Sequence, residues 1–161
     1  MKYAVVYSSK TGNTARLAQA IREHLSQEAC LYFGPPSPQA LEAPLLFVGF
    51  WTDKGTCDQE SAAFLESLTN QNVFLFGTAG FGGQSAYFEK ILAAVRSHLA
   101  PGVQAVGSYM CQGQMPQGVR RRYEAMEDSP RRQMMLDNFD RALGHPDQQD
   151  LDGLTAVLPS L

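Results

Sequence analysis

The chain contains few of the features that identify a metal site, a disulfide framework or a polyanion-binding surface. Its three cysteines, Cys30, Cys57 and Cys111, are far apart, form no Cys-x-x-Cys pair and have no histidine cluster beside them. We therefore expect reduced, apolar cysteines and no metal. The basic run Arg120–Arg122 is too short for a nucleic-acid surface, so no nucleic-acid partner is expected.

Long apolar runs are also missing, and residue 1 leads directly into a strand pattern without the charged and apolar regions of a signal peptide. These absences predict a cytoplasmic protein without a membrane segment. The 161 residues and the formal net charge of −3 fit a single domain, 1–161, in which 146–161 could form a C-terminal extension with a last short helix. We expect a monomer.

Apolar runs alternate with helical patterns along the chain. Five runs predict strands: Tyr3–Tyr7, Cys30–Phe33, Leu45–Trp51, Val73–Gly77 and Val103–Met110. Apolar residues at helical spacing predict helices over Thr14–Gln27, Ser61–Leu68 and Ser85–Leu99. The strands are almost continuously apolar, which is typical of a parallel sheet covered on both faces, so the predicted fold is a doubly wound α/β domain.

Two proline-containing segments mark further boundaries. Gly34–Pro38 predicts a stiff turn in place of a helix after the second strand. Ser129 and Pro130 predict the N-cap and first turn of a late helix that ends near Leu143 and Gly144.

A polar turn directly follows the first strand. Its residues are Ser8, Ser9, Lys10, Thr11, Gly12, Asn13 and Thr14. Several hydroxyl groups and the backbone N–H groups of a helix N-terminus would converge there, which favours a phosphate monoester. Neither the Gly-x-x-x-x-Gly-Lys-Ser/Thr loop nor the Gly-x-Gly-x-x-Gly fingerprint occurs, so the turn indicates a mononucleotide. The alternative is a capped helix without a ligand, because Ser, Thr and Asn are common N-caps.

The pattern Ser9-x-Thr11-Gly12-x-Thr14 resembles the phosphate-binding turn of the flavodoxin family, and the resemblance covers essentially the whole chain. It implies a flavodoxin-like five-stranded parallel sheet in the order 2-1-3-4-5, with FMN at the carboxyl ends of the first and third strands. The uninterrupted fifth strand is similar to that of the short-chain group.

The resemblance also implies that two further loops hold the ring of FMN. The third strand ends in Trp51, the only tryptophan, followed by Thr52, Asp53, Lys54 and Gly55. Trp51 would be one aromatic wall, and the peptide at Gly55 would turn its carbonyl toward flavin N5 on one-electron reduction. The alternatives are a tryptophan that caps the core and a glycine that closes a turn.

The fourth strand leads into a glycine-rich loop that contains Thr78, Ala79, Gly80 and Phe81 and extends to Gln84. Backbone N–H groups of its first three residues are expected to face the flavin pyrimidine ring. The opposite aromatic wall is Phe81, Tyr87 or Tyr109, and the sequence does not separate these three. A flexible loop without a ligand is the alternative.

No nucleophile and base are paired in these loops, so no catalytic residue is predicted, and FMN would supply the redox chemistry. The sequence favours an electron carrier with a donor and an acceptor reductase as partners. A self-contained FMN enzyme that reduces a quinone, and a binding module that has lost FMN, are the alternatives. Asp53, Asp58 and Glu60 are expected to place negative charge near the flavin edge.

Residues 49–57 and 111–116 are similar to segments of the flavodoxin-like proteins that accompany bilirubin reductase in anaerobic bacteria. That resemblance implies a tetrapyrrole reductase as the client.

Overall fold

A parallel sheet forms the centre of the computed structural model, which describes residues 1–82 and 84–161. The strands are β1 (Tyr3–Tyr7), β2 (Cys30–Gly34), β3 (Leu45–Asp53), β4 (Thr56–Cys57), β5 (Asn72–Ala79) and β6 (Gln104–Gln112). The helices are α1 (Asn13–His24), α2 (Gln59–Glu66), α3 (Ser85–Arg96), α4 (Gln117–Glu124), α5 (Pro130–Ala142) and α6 (Gln148–Ala156). None of these helices is long and apolar enough to cross a membrane.

The five parallel strands lie in the order β2-β1-β3-β5-β6. Because the fourth and fifth predicted strands are β5 and β6, the predicted order 2-1-3-4-5 is confirmed. All of β1 pairs residue for residue with Leu45–Gly49 of β3, and β3 pairs with β5 as far as Trp51 and Thr78. The ends of β1, β3 and β5 therefore meet at one edge of the sheet.

The short strand β4, which lies outside the five-stranded parallel order, was not predicted from the sequence. The third strand continues past Trp51 to Asp53, turns through Lys54 and Gly55, and returns antiparallel as β4. Both turn residues have left-handed backbone conformations, with φ of 53° and 86°. A two-residue turn of this kind matches the twist of a hairpin, so the loop after β3 is a short β-ribbon.

Helices cover both faces of the sheet, as predicted. Adjacent residues of a strand point to opposite faces, and in β3 Leu46 and Phe47 belong to different core clusters. Leu17 of α1 and Leu154 of α6 pack on the Phe47 side. On the Leu46 side lie apolar residues of α2 and α3.

Local signals explain where several helices begin. Ser129 accepts a hydrogen bond from the Arg132 N–H, and Pro130 is the first residue of α5, as predicted. The proline-rich turn after β2 leads into a 3₁₀ helix, Pro38–Glu42. The predicted C-terminal helix is α6, whose N-cap, Asp147, forms a reciprocal capping box with Asp150.

Candidate functional site

A cavity of about 410 Å³ lies at the carboxyl ends of β1, β3, β5 and β6. We call it the edge cavity. Its lining residues are Lys10, Thr11, Asn13, Trp51, Thr52, Lys54, Gly55, Thr78, Ala79, Gly80, Phe81, Tyr87, Gly113, Gln114, Met115, Pro116 and Val119. The volume is in the range of small-ligand sites, and the walls come from the three predicted loops together with the β6–α4 connection.

The turn between β1 and α1 presents unpaired donors at one end of this cavity. The Ser9 hydroxyl oxygen accepts hydrogen bonds from the N–H groups of Gly12 and Ala15, each at 3.2 Å. Gly12 has a φ of 94°, which allows the turn to enter the helix directly. Within the described residues, the backbone N–H groups of Asn13 and Thr14 donate to no protein atom. Such free groups at a helix N-terminus favour an anionic ligand.

The hydroxyl of Thr14 does not face the edge cavity. Thr14 is 1% exposed, and its Oγ1 donates to the Phe50 carbonyl oxygen at 3.0 Å and lies 3.1 Å from Thr78 Oγ1. This corrects the expectation that the Thr14 hydroxyl binds a phosphate, because the group is already bonded inside the sheet edge. Its role here is to join α1 to β3 and β5.

Four other predicted residues also lie outside the lining of the edge cavity. They are Ser8, Ser9, Gly12 and Asp53. Ser8, Ser9 and Asp53 line a separate cavity of about 430 Å³ that also touches Trp51 and Glu60. Asp58 also lines this separate cavity. It is 3% exposed, and its carboxylate caps α2 through Ser61 and accepts from the Trp51 backbone N–H. The remaining eleven predicted site residues line the edge cavity.

The β3–β4 hairpin forms the second wall. Trp51 is half-buried and its backbone N–H donates to Asp58 Oδ1 at 3.3 Å, while Lys10 Nζ lies 5.0 Å from the centre of the indole ring. Thr52 Oγ1 donates to the Thr78 carbonyl oxygen at 2.9 Å and so ties the hairpin to β5. The indole is therefore held at the rim of the cavity with a cation over its face.

The loop after β5 is anchored through its carbonyl groups. The Gly80 oxygen accepts from Gln112 Nε2 at 2.8 Å and from Asn138 Nδ2 at 3.1 Å, and the Ala79 oxygen accepts from Gly113 N at 2.9 Å. In the described part of the chain, the N–H groups of Gly80 and Phe81 have no acceptor. They are available to the carbonyl oxygens of a ligand. Gly83, which belongs to the predicted loop, lies outside the described residues.

Two of the three candidates for the opposite aromatic wall line the cavity. They are Phe81 and Tyr87, of which Tyr87 is 37% exposed. Tyr109 lies elsewhere, because its hydroxyl donates to the Asp150 carbonyl oxygen at 2.8 Å beneath α6. That position excludes Tyr109 as a wall of the edge cavity.

The β6–α4 connection is the wall that the sequence analysis did not assign. Asn13 Nδ2 donates to the Gln114 carbonyl oxygen at 2.9 Å, which joins this connection to the start of α1. Met115 and Pro116 complete the lining. A signal was present, because Gly113–Pro116 follows a parallel strand and must lie at the same edge as the other ligand loops.

The edge cavity offers a binding surface and no acid–base pair. Among its described lining residues there is no Asp, Glu, His or Cys. All three cysteines are free, and burial raises the pKa of the Cys57 thiol to about 11 and that of Cys111 further still. Both therefore remain neutral thiols near pH 7, in agreement with the predicted apolar role.

Comparisons with known proteins identify the class. A family model described as a flavodoxin domain matches residues 4–158. The chain therefore belongs to the flavodoxin family, which confirms the resemblance found in the sequence.

Two relatives and one solved structure show which members of the family the chain is similar to. The chain is 42% identical over 172 residues to the flavodoxin-like domain-containing protein BilS of Clostridium symbiosum (strain WAL-14163), with 94% of this chain and 90% of the relative covered. It is 30% identical over 162 residues to the protein of the same name from Clostridioides difficile (strain CD3), with the same coverage of 94% and 90%. A flavoprotein from Lactobacillus acidophilus NCFM, solved in complex with FMN, shares the fold with a TM-score of 0.53 at 13% identity, over 68% of this chain and 92% of that chain.

Proposed function

We propose that this chain binds FMN in the edge cavity and carries electrons, as a monomer, between a donor protein and an acceptor reductase. One observation carries the proposal: free N–H groups at the start of α1 and the aromatic side chains of Trp51, Phe81 and Tyr87 meet around one cavity of about 410 Å³. The first feature suits a phosphate monoester and the second suits a flat, apolar ring.

Each part of FMN has residues that would hold it. Asn13 and Thr14 would donate their backbone N–H groups to the phosphate, with Thr11 beside them. Trp51 would be one ring wall, and either Phe81 or Tyr87 would be the other.

The edge of the pyrimidine ring would be bound one position further along the chain than the sequence predicts. Thr78 and Ala79 pair within the sheet, whereas the N–H groups of Gly80 and Phe81 lie beyond its last pairs. We therefore assign the contacts with the pyrimidine carbonyl oxygens to Gly80 and Phe81.

A carrier explains the composition of the cavity better than a self-contained reductase does. Bound FMN supplies one-electron and two-electron redox chemistry, while the chain binds it, excludes water and sets its potential. An enzyme that protonates its own substrate often places a carboxylic acid or an imidazole beside it. No Asp, Glu or His lines the described cavity, whose ionisable side chains are Lys10, Lys54 and Tyr87.

As the acceptor we propose a bilirubin reductase or a similar tetrapyrrole reductase. Support comes from the similarity of residues 49–57 and 111–116 to flavodoxin-like proteins that accompany such an enzyme, and from the 42% identity to BilS. Both segments contribute walls to the edge cavity: the first through Trp51, Thr52, Lys54 and Gly55, and the second through Gly113–Pro116. A partner protein that approached the bound cofactor would therefore contact both segments.

The first experiment is an absorbance spectrum of the purified protein with and without added FMN, followed by stepwise anaerobic reduction. We expect bound-flavin bands that bleach reversibly. A protein that takes up no FMN would overturn the proposal in favour of a binding module. Rapid turnover with NAD(P)H and a quinone, without any partner protein, would overturn the carrier role.

The proposed acceptor, a bilirubin reductase, is tested in a separate experiment. Protein reduced with dithionite and freed of excess reductant is mixed anaerobically with purified bilirubin reductase and bilirubin. We expect loss of bilirubin absorbance coupled to reoxidation of the flavin. Reoxidation at the same rate without the reductase, or no bilirubin loss, would exclude this client while leaving FMN binding intact.

A further inference from the structure

A second cavity, of about 300 Å³, adjoins the phosphate end of the edge cavity. Its lining residues are Thr11, Asn13, Arg16, Gln114, Met115, Pro116, Gly144 and His145. We call it the α1 cavity. Five of these residues also line the edge cavity, so the two spaces share a wall at the turn before α1. A group bound at that turn would contact both.

Arg16 brings a positive charge to this cavity. It lies one turn into α1, and its Nη1 donates to the Pro146 carbonyl oxygen. Among residues 1–82 and 84–161, no carboxylate lies within 4.0 Å of its guanidinium, unlike that of Arg120, which pairs with Glu124 and Asp140. A guanidinium whose fork is only partly used retains N–H groups for a phosphate oxygen.

His145 brings a ring held in a fixed orientation. Its Nδ1 lies 2.6 Å from Asp150 Oδ2, which also accepts from the Asp147 N–H at 2.8 Å. A carboxylate on one ring nitrogen orients the imidazole and leaves the other nitrogen for a ligand. Nε2 is that nitrogen in His145.

Gln114 positions His145 against the phosphate turn. Its backbone N–H donates to the His145 carbonyl oxygen at 2.8 Å, and its Oε1 accepts from Gly144 N at 2.9 Å. Its own carbonyl oxygen accepts from Asn13 Nδ2 at 2.9 Å. The segment before α6 is therefore bound, through one residue, to the first residue of α1.

We propose that Arg16 and His145 form an anion subsite that binds the phosphate of the ligand from the side of the α1 cavity. The proposal rests on FMN as the ligand. The turn before α1 has one cation, Lys10, whose Nζ lies 5.0 Å from the centre of the Trp51 ring. Its other donors to a phosphate dianion are hydroxyl and N–H groups, which carry no charge. Arg16 supplies a further positive charge through charge-assisted hydrogen bonds, and His145 adds a hydrogen bond from Nε2.

The test compares FMN with riboflavin, which lacks the phosphate. Dissociation constants of both are measured by flavin fluorescence for apo-protein with Arg16→Gln and with His145→Gln. We expect FMN binding to weaken about tenfold in Arg16→Gln and about threefold in His145→Gln, with riboflavin binding unchanged. Arg22→Gln and His24→Gln are matched controls on the same helix. Arg22 stacks on Phe33 at 4.7 Å and His24 is exposed, so neither control should change FMN binding twofold.

Weaker binding of FMN alone would support the subsite, and two other outcomes would exclude it. If FMN and riboflavin weaken together in Arg16→Gln, Arg16 is only a tether for Pro146, and the subsite is excluded. If neither weakens, the subsite is also excluded. Arg16→Lys keeps the charge without the fork, and we expect it to retain most of the FMN affinity even where Arg16→Gln folds poorly.

If the wild-type protein binds no flavin, the proposed function fails. The subsite is then judged with inorganic phosphate alone. A phosphate-dependent rise in melting temperature that Arg16→Gln abolishes would support an anion subsite for another ligand, and no such rise would exclude it.

Discussion

The phosphate end and the ring end of the edge cavity are built in different ways. At the phosphate end, residues 9–14, the Ser9 and Thr14 hydroxyls are already bonded to protein atoms, and Thr14 is 1% exposed. At the ring end, formed by Trp51–Gly55, Phe81 and Tyr87, several groups are half-buried or exposed. The phosphate end is anchored in the sheet edge by the buried Thr14, although Lys10, Thr11 and Gly12 are exposed. No residue of the ring end is buried.

Because of this difference, the two ends suit different roles in binding. A turn that is anchored by the Ser9 and Thr14 side chains holds its free N–H groups in place before a ligand arrives, so little ordering is required on binding. Exposed aromatic side chains can adjust to the ring and leave its edge open to another protein. We infer that the phosphate end determines which ligand binds, whereas the ring end sets the redox potential and the contact with the partner.

The largest expected effect concerns the phosphate end. Thr14→Val removes the hydroxyl that bonds the Phe50 carbonyl oxygen and Thr78 Oγ1 and leaves buried polar groups without a partner. We expect a loss of about 2 to 3 kcal/mol in the free energy of unfolding, measured by urea denaturation of the apo-protein.

Thr52→Val is the matched variant at the ring end. Its hydroxyl donates to the Thr78 carbonyl oxygen but is half-buried, so water can replace it, and we expect a loss of less than about 1 kcal/mol. Equal losses in the two variants would contradict the contrast between the ends.

The next effect concerns the aromatic wall. Trp51→Ala removes the stacking surface and, in the turn before α1, only the contact of the Lys10 ammonium with the indole ring. We expect FMN and riboflavin to bind about tenfold more weakly, to the same extent. Trp51→Phe should recover most of the affinity. A change confined to FMN, measured by fluorescence titration, would show that Trp51 acts through the phosphate end after all.

The structure of the phosphate end was also easier to predict from the sequence than that of the ring end. Its features depend on neighbours in sequence: a strand, a glycine with positive φ and a helix start occur within Tyr3–Thr14. The strand order follows from nearly continuous apolar runs. Even so, the sequence placed the Thr14 hydroxyl at the ligand, because it could not show the acceptors that β3 and β5 provide.

The ring end depends on contacts that no local pattern reveals. The hairpin after Trp51 is set by the pairing of Thr52 with Cys57 and of Asp53 with Thr56. Its signal was Lys54–Gly55 between two strand-like segments, which is weaker than Asn-Gly. The separation of Phe81 and Tyr87 from Tyr109 required knowing that α6 covers Tyr109.

A smaller effect is expected at the tip of the hairpin. Gly55 has a φ of 86° and open space around it, so Gly55→Ala strains the backbone without a clash. We expect a loss of about 1 kcal/mol in stability. If the Gly55 peptide turns toward N5, the potential of the first one-electron step should also fall, whereas FMN affinity in the oxidised state should stay the same.

Gly55→Asn is the control for strain, because Asn tolerates the left-handed region better than Ala. We expect it to restore stability. Potentials measured by anaerobic redox titration that are equal in wild type and Gly55→Ala would exclude the peptide turn, whatever the stability.

The smallest effect concerns the support of the phosphate end by α6, which packs against α1. The hydrogen bond from the Asp150 N–H, and then the charge of His145, hold the pKa of the Asp147 carboxyl below its ordinary value. A lowered pKa means that the ionised carboxylate stabilises the folded state above the ordinary Asp pKa, and that this contribution is lost as the pH falls through the lowered value. Asn caps a helix about as well as Asp but does not titrate. Melting curves of wild type and Asp147→Asn should therefore differ slightly at pH 7 and converge in acid. A gap that persists at low pH would show that the cap acts through geometry alone, and that α6 supports the phosphate end without any contribution from this charge.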